Sequence, residues 1–126
     1  MNIYQEQIME HFHTPSHHGT LTDPTHSLNA NNPTCGDKIH IDMIIDNDTI
    51  KDIKFIGEGC AISQAAASML LEKVSGQSIN TLQRMTADDI TSLLGVELSP
   101  NRLKCALLSL ETAQKTLTHP IEEAAQ

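Results

Sequence analysis

The feature that most constrains this chain is a change of hydrophobic period at Gly57. Before it, Ile39, Ile41, Met43 and Ile45 occupy every second position, the repeat of a strand with one buried face. Asp46-Asn47-Asp48 reads as a hairpin turn, and Ile53 and Phe55 continue the alternation on the return strand. A short strand before Asn31 would complete a small antiparallel three-stranded sheet. Beyond Gly57 the apolar spacing becomes helical. Ala61 to Val74 is Ala-rich and apolar enough for a buried helix, with Gly76 as its stop. Thr86-Ala-Asp-Asp89 matches a capping box for a short helix running to Gly95. Ser99-Pro100 supplies an N-cap followed by Pro at the first helical position. That last helix carries Leu103, Leu107, Leu110 and Leu117, expected to form one buried stripe. At the other end, Tyr4, Ile8 and Phe12, with Ile3 and Met9, predict an amphipathic helix from Ile3 to His13, ended by Pro15 and Gly19. Thr20 to His26 reads as loop. Strands first and helices afterwards predict an α+β fold with helices packed on one face of the sheet. The expectation is one domain spanning residues 1–126, frayed only from Ile121 to Gln126.

Composition then removes several function classes. Sixteen acidic against eight basic residues give a formal charge of −8, which argues against a nucleic-acid partner, because phosphate binding is carried by clustered Lys and Arg. With two Phe, one Tyr and no Trp, base stacking is not available either. No run approaches the ~20 apolar residues of a membrane span, and Met1 to Ile8 has neither the basic nor the apolar region of a signal peptide. Three cysteines are an odd number for a disulfide framework, so a reduced, cytoplasmic protein is expected.

Those cysteines carry the chemistry. Cys35 sits in a loop of turn formers, Asn31 to Asp37. Cys60 closes Gly57-Glu-Gly-Cys60 and opens the Ala-rich helix, where a helix N-terminus favours thiolate. Cys105 lies in the second turn of the last helix, beside Lys104 and near Arg102. Gly57 and Gly59 imply backbone that turns tightly or approaches something closely. Asp37, two residues after Cys35, could reach the same ion. Three thiolates and a carboxylate suit tetrahedral Zn²⁺ or iron better than Ca²⁺ or Mg²⁺. A carboxylate ligand is less common in purely structural zinc sites, so Asp37 points to a site meant to open. Lys38, Arg102 and Lys104 would offset its negative charge. His11, His13, His17 and His18 have no accompanying carboxylate or Cys pattern, and read as a solvated helix end rather than a second metal site. His40 belongs to the face opposite Ile39 and Ile41, while Met43, Met69 and Met85 fall at core periods.

The segments Asn32-Pro-Thr-Cys-Gly-Asp37, Gly57-Glu-Gly-Cys-Ala-Ile-Ser63 and Arg102-Leu-Lys-Cys-Ala106 resemble the NifU-like N-terminal family of iron–sulfur cluster assembly proteins. The resemblance runs from Tyr4 to Leu117. It implies that Cys35, Asp37, Cys60 and Cys105 bind zinc or a transient iron–sulfur cluster. It implies a pyridoxal-phosphate cysteine desulfurase as sulfur donor, and downstream apo-proteins or carriers as acceptors. Within the family, the IscU branch typically has His before the third cysteine and a Leu-Pro-Pro-Val-Lys motif. Here Lys104 precedes Cys105 and the local sequence is Glu97-Leu-Ser-Pro-Asn-Arg-Leu-Lys104. Glu58, Ile62, Lys104 and Ala106 resemble the SufU branch, although the 45 residues from Cys60 to Cys105 leave no room for that branch's usual extra segment. The resemblance thus implies a scaffold and sulfur acceptor rather than a stand-alone enzyme, with zinc-dependent relay through Cys35 as persulfide acceptor. Its alternatives are an IscU-like scaffold building a [2Fe–2S] cluster, a structural zinc module, and a thiol enzyme using Cys60 as nucleophile.

Overall fold

A computed structural model describes residues 2–33 and 36–121. Its elements run α1 (Ile3–His13), β1 (His26–Asn32), β2 (Asp37–Asp46), β3 (Thr49–Glu58), α2 (Ala61–Val74), α3 (Ile79–Gln83), α4 (Ala87–Leu94) and α5 (Pro100–Thr116). The three strands form one antiparallel sheet in the order β1-β2-β3, and α2 and α5 pack against it. The α+β expectation is met.

The alternating residues do what their period requires. Ile39, Ile41, Met43, Ile50, Ile53 and Phe55 face the core and are buried. The hairpin turns at Asn47 and Asp48, both with positive φ (51° and 59°), the geometry that lets two residues join twisted strands. β3 carries one extra residue at Lys51 opposite the Ile44–Ile45 step. The resulting bulge ends the strict alternation, and Ile45 is only half-buried. α2 is buried over most of its circumference, from Ser63 to Val74, as its apolar composition requires.

Three expectations need correction. The buried side of α5 is not a leucine stripe. It consists of Cys105, Ala106, Leu108, Ser109, Leu110, Thr112, Ala113 and Thr116, while Leu103, Leu107 and Leu117 are half-buried at its margins. Small residues share the buried face where α5 meets both α2 and the sheet, and their hydroxyls are satisfied within the helix. Thr112 Oγ1 donates to Leu108 O and Thr116 Oγ1 to Thr112 O, both at 2.7 Å. The loop reading at His26 and the fraying at Ile121 also fail. His26 begins β1, and Ile121 donates its amide to Thr25 O at 2.8 Å, while Ser27 donates to His119 O. This short pairing covers the start of the β1 edge; residues 122–126 lie outside the described residues.

The histidines after α1 are fastened more firmly than a solvated helix end would be. His11 Nδ1 lies 2.7 Å from Ser68 Oγ, and the Ser16 amide donates to the same hydroxyl. His17 Nδ1 reaches Ile53 O, and His18 meets Phe55 edge-on at 5.6 Å. Together they hold α1 and its loop to α2 and β3.

On the outer sheet face, register places Ser27 beside Asp42 and Asn29 beside His40. Ser27 Oγ donates to Asp42 Oδ1 at 2.7 Å, His40 Nε2 lies 2.7 Å from the same oxygen, and the Leu21 amide donates to Oδ2. Burial pushes the Asp42 carboxyl up, but hydrogen bonds from Ser27 and Leu21 and the charge and contact of His40 outweigh it, leaving its pKa below the ordinary value. A depressed carboxyl stabilises the fold above its unfolded pKa of about 3.9, and that contribution disappears as pH falls through the folded value. Urea unfolding should therefore show wild type more stable than Asp42→Asn at pH 6, with the gap closing below about pH 4; a gap independent of pH would contradict this.

Candidate metal centre

The sheet register brings the first donor into place. Asp37 opens β2, and the next residue, Lys38, pairs with Glu58 at the end of β3. The chain leaves β3 through Gly59 and enters α2 at Cys60, so Asp37 and Cys60 meet at one end of the sheet. Packing of α5 on α2 then delivers Cys105 from its second turn. One ligand atom each from Asp37, Cys60 and Cys105 lies within 4.8 Å of the others. A tetrahedral zinc with bonds of ~2.0–2.3 Å needs donors roughly 3.5–3.8 Å apart, so a small inward movement closes the set.

The surroundings fit a cation. Asp37 is 4% exposed, and its Oδ2 is buried with no hydrogen-bond partner among the described residues, an orphaned acceptor that costs roughly 1–3 kcal/mol. Cys60 is the N-cap of α2 and its thiol makes no capping hydrogen bond, so the sulfur is left for the site. The first turn of the helix carries no acidic residue. A cavity of about 410 Å³ opens in front of the donors, lined by Gly36, Asp37, Glu58, Cys60, Asn101, Arg102 and Cys105 among others. A larger groove of about 590 Å³ lies along Asn29, His40 and Ile56 on the outer sheet face. None of the described residues that line it carries a thiol, so the donor set rather than size locates the chemistry.

Of the sequence-expected residues, Asp37, Cys60 and Cys105 converge. Cys35 lies outside the described residues, although Gly36, which follows it, lines the cavity. Arg102 stands at the site as expected, and Lys38 borders Cys105 in a small crevice. Lys104 lines a different groove with Asn31, Pro33 and Glu111, because adjacent helical residues point about 100° apart. Ser63 and Asn101 were not legible as site neighbours. Ser63 sits in the first turn after Cys60 and donates to its carbonyl at 3.0 Å.

The comparisons with known proteins bear on this arrangement. Residues 3–122 match the model of the NifU-like N-terminal domain. The chain belongs to that family. The zinc-dependent sulfurtransferase SufU of Bacillus subtilis (strain 168) is 38% identical over 130 residues, covering 90% of this chain and 88% of that protein. The iron–sulfur cluster assembly scaffold protein IscU of Streptococcus pyogenes serotype M1 is 33% identical, covering 92% and 83%. Among solved structures, FiSufU from Fervidobacterium islandicum AW-1 superposes with a TM-score of 0.74 at 27% identity, over 89% of this chain and 94% of that one.

The two described thiols differ in access: Cys60 is half-buried and Cys105 is 6% exposed. In metal-free Cys35→Ser protein, iodoacetamide should modify Cys60 faster than Cys105, and one equivalent of Zn²⁺ should slow both. Protection of only one thiol would show that the two do not share an ion.

Proposed function

We propose that this protein accepts persulfide sulfur from a pyridoxal-phosphate cysteine desulfurase and passes on sulfur or a nascent iron–sulfur cluster, with Zn²⁺ as its resident ion. The observation that carries the reading is the convergence of Asp37, Cys60 and Cys105 within 4.8 Å, in a chain similar to a protein named as a zinc-dependent sulfurtransferase. In this reading Cys35 is the fourth ligand and the persulfide acceptor. When bound, zinc holds the thiols as thiolates at neutral pH.

The chemistry asked of the chain is thiol–persulfide exchange. The Cys35 thiolate attacks the terminal sulfur of the desulfurase persulfide, the donor's S–S bond breaks, and the donor cysteine leaves as thiolate. A new S–S bond forms on Cys35, so no external oxidant or reductant is needed. Cys60 and Cys105, anchored on helices, stay behind to keep the site organised, while the segment between β1 and β2 presents the acceptor. Arg102, on the cavity wall, favours approach of an anionic persulfide. On this account the protein acts as a relay, whose turnover belongs to the desulfurase. The second reading, a scaffold that assembles a [2Fe–2S] cluster on the same residues, is favoured by the similarity to IscU and by the short Cys60–Cys105 spacing.

Incubation with a cysteine desulfurase and cysteine, followed by mass spectrometry, separates the readings. Relay predicts one added sulfur atom on the Cys35 peptide, none in Cys35→Ser, and faster desulfurase turnover with the zinc form. Sulfur found only on Cys105, together with a stable cluster after anaerobic reconstitution, would support the scaffold instead. Retained zinc with no sulfur on any cysteine would refute both.

A further inference from the structure

Gly59 lies between the end of β3 and the N-cap of α2, and its φ lies outside the left-handed range that favours glycine. Something other than backbone conformation therefore requires glycine there. A Cβ at this position would sit 2.5 Å from Asp37 Oδ1, 2.8 Å from Asp37 Cγ and 2.5 Å from Ser63 Oγ. The space a side chain would fill is already taken by the Asp37 carboxylate and by the Ser63 hydroxyl. In its present position that carboxylate cannot coexist with a methyl group at 59. Its residue is 4% exposed, its backbone is tied into the β1–β2 ladder opposite Asn32, and Oδ2 has no hydrogen-bond partner among the described residues to draw it elsewhere.

We propose that Gly59 is a positioning residue: its missing side chain forms the seat that lets the Asp37 carboxylate lie within reach of Cys60 and Cys105. A methyl group at 59 turns the carboxylate out of the site and leaves the thiols in place. Gly59→Ala then acts through Asp37 and mimics its loss. The inference rests on the metal-site reading of Asp37, Cys60 and Cys105, and concerns what sets the carboxylate donor rather than whether a site exists.

The test is zinc affinity, measured by chelator competition on wild type, Asp37→Ala, Gly59→Ala and the double variant. Displacing a group that orients a metal ligand weakens binding roughly 10–100-fold. Gly59→Ala should fall in that range and match Asp37→Ala, and the double variant should bind no more weakly than Asp37→Ala alone. With Co²⁺ in place of Zn²⁺, both single variants should keep the sulfur-to-metal charge-transfer bands and share the same displaced d–d bands. Wild-type affinity in Gly59→Ala, or additive losses in the double variant, would overturn the proposal. Failure of wild type to bind zinc would instead remove the metal-site reading beneath it. Should Gly59→Ala fail to fold, Asp37→Ala/Gly59→Ala decides. Folding restored by removing the carboxylate places the collision at Asp37 as proposed. A double variant that also fails to fold means Gly59 serves the fold and the proposal is wrong.

Discussion

The contact between α2 and α5 is the constraint on which the rest of the structure depends. It is the most extensive helix–helix contact among the described residues, and both helices are rich in buried small side chains. Ala106, Ser109, Thr112, Ala113 and Thr116 form much of the buried side of α5, and α2 contributes Ala65, Ala66, Ala67 and Ser68 to the core. Helices that meet through small residues approach closely, because side-chain bulk sets interaxial distance. Close approach fixes the gap between the first turn of α2 and the second turn of α5, and therefore the distance from Cys60 to Cys105. Larger residues at these positions would fill the same core, yet would part the two sulfurs.

The sheet supplies the other half of the frame. Its β2–β3 register places Asp37 next to the chain that leads into Cys60, and Gly57 lets that chain pass close to β2. A Cβ at 57 would come within 2.8 Å of Lys38 O. The remaining helices brace this frame. Gln114 of α5 donates to Leu82 O and Met85 O, holding α3 and its exit against α5. The result is a frame that gathers a carboxylate and two thiols from three elements. A buried carboxylate oxygen with no hydrogen-bond partner among the described residues is a cost to the folded state, which the apolar core offsets. Any ion that binds the folded arrangement and not the unfolded chain returns stability in proportion to its affinity.

Much of this was legible in the sequence, because local physics decided it. α1 and α2 begin and end where periodicity, apolar composition and Gly76 place them, and the hairpin turns at the expected Asn47-Asp48. The features that escaped are set by partners distant in sequence. α3 is a five-residue helix with no apolar period of its own, held by buried Leu82, by Gln114 and by the Ile79 amide bonded to Asp48 O. The pairing of His119 to Ile121 with Thr25 to Ser27 joins segments about ninety residues apart. The face of α5 was misread because hydrophobicity marks leucine, whereas burial between two layers selected alanine, serine and threonine. At the site, residue chemistry and motif spacing pointed to Asp37, Cys60 and Cys105. Ser63 carried no such signal, since a serine in a first helical turn is ordinary.

The central claim is that these side chains, with Cys35, surround one metal ion. X-ray absorption at the zinc edge of the loaded protein measures that shell directly. The account predicts about three sulfur neighbours near ~2.3 Å and one oxygen near ~2.0–2.2 Å, with the oxygen contribution altered in Asp37→Ala and one sulfur lost in each of Cys35→Ser, Cys60→Ser and Cys105→Ser. A shell of nitrogen and oxygen alone, unchanged by these substitutions, would contradict it.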